Sequence, residues 1–407
     1  MTATSWRQAR RIATDMDPGP AIQVGLTSAI GRVLAQPVAA MADLPPFDAA
    51  DHSGWAVSGV GPWIEAESPS TDSLRDGEAV RVGEGSRIPL GCTAVLADEC
   101  SVLEESARHL HVLVGDAAAG GTALWGTVAS RRPGFIEPGT GVRLARSCAG
   151  VGDLLLKAGT TVSAGTVALA AAAGCDELTV IPPASIATVV LSSGLLSSGP
   201  PRRGKDRDVL APLVPAWAMS SGGRCLPDAA GAKDAGRLAN VVDSAGADIV
   251  VITSSGHPGI DPVIDVALRR LNAEILIDEL AARPAGPVRL AELRDSRRVL
   301  ALPREPAGAV IACALLLNPM IYTLAGQSAN RMLATAMLRS AVGDSGTERS
   351  LPVVIERGEL ADLAQPHPWL GPHGLGALGS ADGLAFVDAG RGLAGECVSV
   401  IRLPGIE

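Results

Sequence analysis

A chain of 407 residues is too long for one ordinary hydrophobic core and predicts two to four domains. A net charge of −9 and a sequence pI near 5.3 argue against nucleic acid or an anionic membrane as the main partner. Hydrophobic residues make up 47% but aromatics only 2%, so Ala, Gly, Val and Leu must fill the cores through close backbone packing.

In chain order, Trp6 to Ala13 and Leu26 to Leu34 read as helices, the first stopping before Asp17-Pro18-Gly19-Pro20 and the second containing Gly31. From Asp51 to Arg143 the texture is short β-type runs between Gly and Pro turns: Ala79 to Val82, Ala94 to Leu96, and His109 to Val114. Val167 to Ala173 returns to helix, closed by Gly174. A regular alternation follows. Ser185 to Leu191, Asp248 to Thr253 and Arg298 to Leu302 read as strands. Val209 to Ser220, Arg237 to Ser244, Pro262 to Leu271 and Pro306 to Leu317 read as helices, with Pro212 and Pro215 poorly tolerated in the first of them. Such alternation predicts a doubly wound, mainly parallel α/β sheet with helices on both faces. Ala309 to Ala325 is the most apolar stretch, and Asn318-Pro319 inside it predicts a buried helix broken near Pro319 rather than a membrane span. After Ser340, Pro352 to Glu356, Leu384 to Val387 and Glu396 to Leu403 predict a small C-terminal β domain.

Seven scattered cysteines include no C-x-x-C pair, which predicts a reduced, cytoplasmic protein without a disulfide framework or zinc site. Arg10-Arg11 is followed by no apolar run, so no targeting segment is expected. Gly199-Pro-Pro-Arg-Arg-Gly204-Lys205 fits G-x-x-x-x-G-K. A P-loop is rejected because Asp206 replaces the magnesium-holding Ser/Thr and two prolines remove amide donors.

Ligands of a doubly wound sheet bind beyond the carboxyl ends of its strands. Three such ends carry suitable loops: Ser192-Ser193-Gly194, Ser254-Ser255-Gly256-His257-Pro258-Gly259, and Pro303-Arg304-Glu305-Pro306. Small residues there leave N–H groups open to an oxyanion, although turn-making alone accounts for Ser and Gly equally well. Asp261, just before a helix, fits a cap and also a ligand for a hard cation; Asp206 and Asp208 lie two apart after a basic turn. The six histidines do not cluster as metal ligands, and His257 alone sits in a loop of interest.

The run Leu44-Pro-Pro-Phe-Asp-Ala-Ala-Asp-His-Ser-Gly-Trp-Ala-Val57 resembles the L-P-x-F-D-N-S-A-M-D-G-Y-A-V signature of the molybdopterin molybdenumtransferases, the MoeA/gephyrin E-domain family. Leu44, Pro45, Phe47, Asp48, Gly54, Ala56 and Val57 match, while the polar centre, including the acid before the glycine, does not. Further ordered likenesses run along the chain. They include Gly141-Val142-Arg143 for N-I-R, Ala158-Gly159-Thr160 for A-G-T, Ala381-Asp382-Gly383-Leu384 for A-N-G-L, and Gly395-Glu396-Cys397-Val398 for G-E-x-V.

The resemblance implies four parts: a helical/linker domain of residues 1–44 and 146–178, an inserted β-rich domain 45–145, a molybdopterin-binding-like α/β domain 179–327, and a C-terminal β domain 328–407. It implies insertion of molybdate into adenylylated molybdopterin, with magnesium and release of AMP, by a cytoplasmic homodimer without nucleic-acid or membrane partners. The site motifs diverge. S-T-G-D-E-L stands as Ser192-Ser193-Gly194-Leu195-Leu196, L-P-G-N-P as Leu302-Pro303-Arg304-Glu305-Pro306, and P-G-K-P with its preceding Lys as Arg283-Pro284-Ala285-Gly286-Pro287. Arg304 and Glu305 are expected to crowd a turn built for Gly and Asn. By resemblance, Asp206 and Asp261 hold the cation, and Arg283 meets the anionic product or molybdate. Ser193, Gly194, Ser254, Ser255, Gly256 and Pro303 serve the cofactor. The alternative is a catalytically impaired paralogue that binds cofactor as a scaffold; an enzyme on another nucleotide-like substrate is a third reading.

Overall fold

The computed structural model describes residues 3–66, 73–104, 109–112, 136–191, 194–202, 204–227, 229–232, 234–254, 260–343, 345–370 and 374–405. The chain divides into two compact units, a larger one of Met1–Gln23, Gly31–Ala35 and Thr179–Glu407, and a smaller one of Val24–Ile30 and Gln36–Leu178.

The larger unit contains a mixed sheet. Among the described residues, Arg224–Cys225 and Ala229–Ala232 both pair with Ser185–Leu191, followed by Ile249–Thr253, Arg298–Ala301, Gly286–Glu292 and Glu274–Leu280. The first strands run parallel through Arg298–Ala301, and the last two form an antiparallel hairpin beside it. That hairpin lies outside the strict strand–helix alternation, so the sheet is less uniformly parallel than its sequence predicts.

The pleat sends alternate residues to opposite faces. Ile186, Ile249, Val251, Leu290 and Leu300 share one core with the helices Trp6–Thr14 and Leu210–Ser220 and the apolar helix after Pro306. Ala187, Val189, Val250, Ile252, Val299 and Ala301 share another with Ala235–Ser244 and Pro262–Arg270. Both faces are therefore covered, and only the strand ends are left for chemistry.

The apolar helix differs from its expectation. It runs Pro306–Ala312, continues as a π turn over Cys313–Leu317, and resumes as Asn318–Leu324 without breaking at Pro319. The π turn falls just before Pro319, where the ring denies an N–H to the preceding turn. Asn318, 1% exposed, is committed sideways: its Oδ1 accepts from Trp217 Nε1 at 2.6 Å and Ser221 Oγ at 2.7 Å. Among the described residues this is the one helix long and apolar enough to cross a membrane, yet 94% of its most apolar window is buried inside the fold. Leu26 to Leu34 is a second correction. A 3₁₀ turn, Leu26–Ala29, gives way to Gly31 at φ +79°, and Val33–Leu34 pairs as a strand with Val180 and Ile181. The glycine supplies a left-handed turn that ends helical winding.

The same unit ends in a closed barrel of Leu333–Leu338, Leu363–Pro366, Arg349–Glu356, Gly383–Val387 and Cys397–Arg402. Ala385, Val387, Val398 and Val400 fill it, while Leu384, Phe386 and Ile401 turn toward the sheet's core. There Phe386 stacks on Trp6 at 5.3 Å.

The smaller unit holds a six-stranded sheet in the order Ala94–Ala97, Gly54–Val57, Glu78–Val82, Trp63–Glu65, His109–Val112, Ser101–Glu104. Gly54 is needed here because a Cβ would lie 2.1 Å from the Leu96 carbonyl oxygen. Its helix, Ala164–Ala172, is capped by Ser163, which accepts from Thr166 N at 3.2 Å.

Candidate active site

The parallel strands end together at Leu191, Thr253 and Ala301, and a cleft opens beyond them. Its walls are Val190, Leu191 and Leu195, the segment Asp206 to Leu210, Thr253 and Ser254, and Arg304, Glu305 and Pro306. Its volume is about 70 Å³.

One wall is a loop zipped onto itself. Leu196 N donates to the Asp206 carbonyl at 2.9 Å, Asp208 N donates to the Leu196 carbonyl at 3.0 Å, and Arg202 and Lys205 exchange backbone bonds. Arg207 Nη1 donates to the Gly199 carbonyl at 3.0 Å. The two aspartates divide the work. Asp208 Oδ1 accepts from Leu210 N and Ala211 N, both at 3.0 Å, satisfying the open amides of the Leu210–Ser220 helix. Asp206 is exposed, and its carboxylate has no hydrogen bond or ion pair among the described residues.

The floor is set by the strand Ile249–Thr253. Thr253 is 2% exposed, and its Oγ1 has no hydrogen-bond partner. Ser254 follows, 8% exposed. On the opposite wall, Leu302 N donates to the Ile252 carbonyl at 3.0 Å and fixes the chain as it leaves its strand. Pro303 is buried, while Arg304 and Glu305 reach solvent. Glu305 has φ −73° and ψ 121°, and Arg304 is not among the residues with positive φ. The expected crowding is therefore absent: the turn takes side chains in ordinary backbone conformations and turns them outward.

Asp206 and Ser254 line the cleft, and Gly194, in a left-handed conformation at φ +74°, directly precedes the lining residue Leu195. Asp261 is the N-cap of Pro262–Arg270, its Oδ1 accepting from Val263 N at 3.0 Å. Asp234 caps Ala235–Ser244 in the same way, accepting from Arg237 N at 2.9 Å. Arg283 sits in the turn joining Glu274–Leu280 to Gly286–Glu292. Its guanidinium pairs with Glu279 at 3.3 Å, and its backbone is bonded to Glu348 and Ser350 of the barrel. Asp261, Arg283 and Pro303 are not among the lining residues. The hairpin turn does touch the helix that opens the third loop, since a Cβ on Gly308 would lie 2.6 Å from the Ala285 carbonyl oxygen. Ser193, Ser255, Gly256 and His257 lie outside the described residues.

Among the described residues no three His, Cys, Asp or Glu side chains converge as a metal cluster. The carboxylates lining the cleft are Asp206, Glu305 and, through its second oxygen, Asp208. One or two of them would suit magnesium, which keeps waters and takes substrate phosphate oxygens for the rest of its shell. Sequence reasoning gave no weight to Thr253 as a site residue, because a β-branched residue ending a strand reads as a strand former.

In the smaller unit the motif around Asp48 is structural in its described contacts. Asp48 Oδ1 accepts from Ala145 N at 2.6 Å, and Ser53 Oγ accepts from Glu84 N at 3.2 Å.

The chain is similar to known proteins in sequence and in fold. The profile described as the MoeA N-terminal region (domain I and II) matches residues 4–174. The chain is similar to the molybdopterin molybdenumtransferase of Staphylococcus aureus (strain Mu50 / ATCC 700699), 25% identical over 335 residues, which covers 78% of this chain and 74% of the relative. The molybdopterin molybdenumtransferase of Bacillus subtilis (strain 168) is 24% identical over 356 residues, 81% of this chain and 76% of the relative. A crystal structure of the molybdopterin biosynthesis moea protein from Pyrococcus horikosii superposes with a TM-score of 0.76 at 22% identity, over 99% of this chain and 100% of that one. That likeness extends the shared fold to both units.

Proposed function

We propose that this chain, similar to the MoeA N-terminal region over residues 4–174 and to molybdopterin molybdenumtransferases along most of its length, acts as a molybdopterin molybdenumtransferase of the MoeA family, inserting molybdate into adenylylated molybdopterin with release of AMP. The observation that carries this reading is Asp206, an uncommitted carboxylate in a cleft at the carboxyl ends of the parallel strands.

Asp206 and Asp261 are assigned to magnesium, with the second oxygen of Asp208 on the same wall as Asp206. Asp261 keeps one oxygen for this role, because capping engages Oδ1 alone. When bound, the ion would screen phosphate charge and polarise a phosphoryl oxygen, making the phosphorus more open to attack. Gly194 and Ser254, with Ser193, Ser255 and Gly256, are assigned to the phosphate, and Pro303 to the cofactor-facing turn. Arg283 is assigned to the anionic product or molybdate, its turn held against the Gly308 helix. The protein is further proposed to be a cytoplasmic homodimer of four domains, residues 1–44 with 146–178, 45–145, 179–327 and 328–407, with the doubly wound third domain holding the cleft.

A second reading, a scaffold that binds the cofactor without turnover, is favoured by one observation. Leu195 lines the cleft where the family has an acid, removing one group that orients charge during transfer.

The test is the double variant Asp206→Ala, Asp261→Ala. It is expected to lose magnesium-dependent binding of adenylylated molybdopterin by at least about tenfold, with circular dichroism unchanged at 25 °C. Unchanged binding contradicts the metal assignment.

A further inference from the structure

We propose that Thr253 and Arg304 form an oxyanion-binding pair in the cleft, gripping the phosphate of an ester ligand; this rests on the reading of the cleft as a nucleotide-type site. Thr253 is 2% exposed, yet its Oγ1 has no partner. A buried hydroxyl left unpaired costs stability, whereas a methyl of the same shape does not. Thr253 stands at the end of its strand and is one of the residues lining the cleft, so an oxygen bound there would satisfy the buried hydroxyl.

Arg304 lines the same cleft, exposed and without a hydrogen bond or ion pair among the described residues. Arg207, the other arginine lining the cleft, is by contrast spent on the Gly199 carbonyl. The Arg304 backbone carries no left-handed strain.

The two groups are both donors. A guanidinium offers a planar fork and cannot accept, and a threonine hydroxyl donates to an anionic oxygen. Asp206 and Asp208, which line the same cleft, would hold a cation that offsets the phosphate's charge. The cleft's volume of about 70 Å³ is several times the ~10–15 Å³ one water needs on that measure. It accommodates a tetrahedral oxyanion and leaves the rest of a larger ligand outside.

The experiment is calorimetric titration of the full chain with AMP, and separately with molybdate, at low salt with magnesium. Arg304→Ala is expected to weaken AMP binding about tenfold or more, with Arg304→Lys recovering part of it. Thr253→Val is expected to weaken it roughly threefold to tenfold while its melting temperature stays level or rises. Arg339→Ala, a barrel residue paired with Glu356, is the control and binds as wild type.

Molybdate binding with the same variant dependence, in place of AMP, assigns the pair to the metal oxyanion. Absence of binding by the wild type, or affinities unchanged in Arg304→Ala and Thr253→Val, overturns the proposal. A loss confined to Arg304→Ala overturns the part given to Thr253, as does a lowered melting temperature in Thr253→Val. AMP binding that needs both residues, in a protein that releases no AMP from adenylylated molybdopterin, keeps the pair and rejects the transferase reading.

Discussion

Asp388 shows how one charged residue ties the N-terminal helix to the barrel. Arg7 donates to both of its oxygens, at 2.7 and 3.0 Å, and Trp6 Nε1 adds a third bond at 3.1 Å. The Arg7 guanidinium, ahead of the indole, holds the Asp388 carboxyl below its usual 3.8. A carboxyl depressed in the folded state stabilises above its unfolded value and loses that contribution as pH falls through the folded one. Asp388→Asn is therefore expected to be less stable than wild type at pH 7, with the gap closing as pH falls through the depressed folded-state pKa of Asp388. Because the Arg7 side chain is 58% exposed, the difference should stay under about 1 kcal/mol. Urea melts across that range check it, and a gap that persists in acid contradicts it. At this scale the sequence pointed to Asp206 and Ser254, which line the cleft, because the strand–helix alternation places their loops at the carboxyl ends of the strands. It concealed Thr253, whose side chain suits a strand whether or not its hydroxyl is used.

The helix that starts at Pro306 and the hairpin turn that carries Arg283 are packed backbone to backbone. Gly308 makes this possible: a Cβ there meets the Ala285 carbonyl oxygen at 2.6 Å and that of Pro284 at 3.2 Å. Neither oxygen can retreat as a flexible side chain would. Gly308→Ala is accordingly expected to cost about 1–3 kcal/mol through overpacking, outweighing the gain in helix propensity. It should also weaken whatever Arg283 binds, and a thermal melt matching wild type contradicts the contact. The strand–helix alternation was legible from Ser185 onward because β-branched runs alternate with longer apolar patterns. The hairpin of Glu274–Leu280 and Gly286–Glu292 was not. It carries charge inward, with Arg289 donating to Asp265 at 2.9 Å and paired with Asp278, so its hydrophobic alternation is interrupted. The π turn was hidden for a different reason. Pro319 signals a break locally, and only Asn318, bonded to Trp217 and Ser221, shows why the helix is worth continuing.

The larger unit is assembled from distant parts of the chain. Trp6, Ala9 and Ala13 sit in its main core at 3%, 0% and 0% exposure, and Thr4 N bonds the Glu279 carbonyl at 2.8 Å. A fragment of residues 179–407 alone leaves this apolar surface open. It is expected to lose cooperative unfolding, and to regain it when residues 1–23 are supplied as a peptide. A cooperative melt from the bare fragment contradicts that. The order of motifs along the chain made the family legible, while its divergent site residues could be weighed only once their neighbours were visible. Leu195 faces the cleft where an acid is expected, yet Asp206 stays uncommitted beside it. Whether those surviving groups suffice is settled by following AMP in a tube of purified protein, adenylylated molybdopterin, molybdate and magnesium. The account predicts AMP release that depends on molybdate and is lost in Asp206→Ala. Tight binding without AMP release contradicts the transferase reading and leaves a cofactor scaffold.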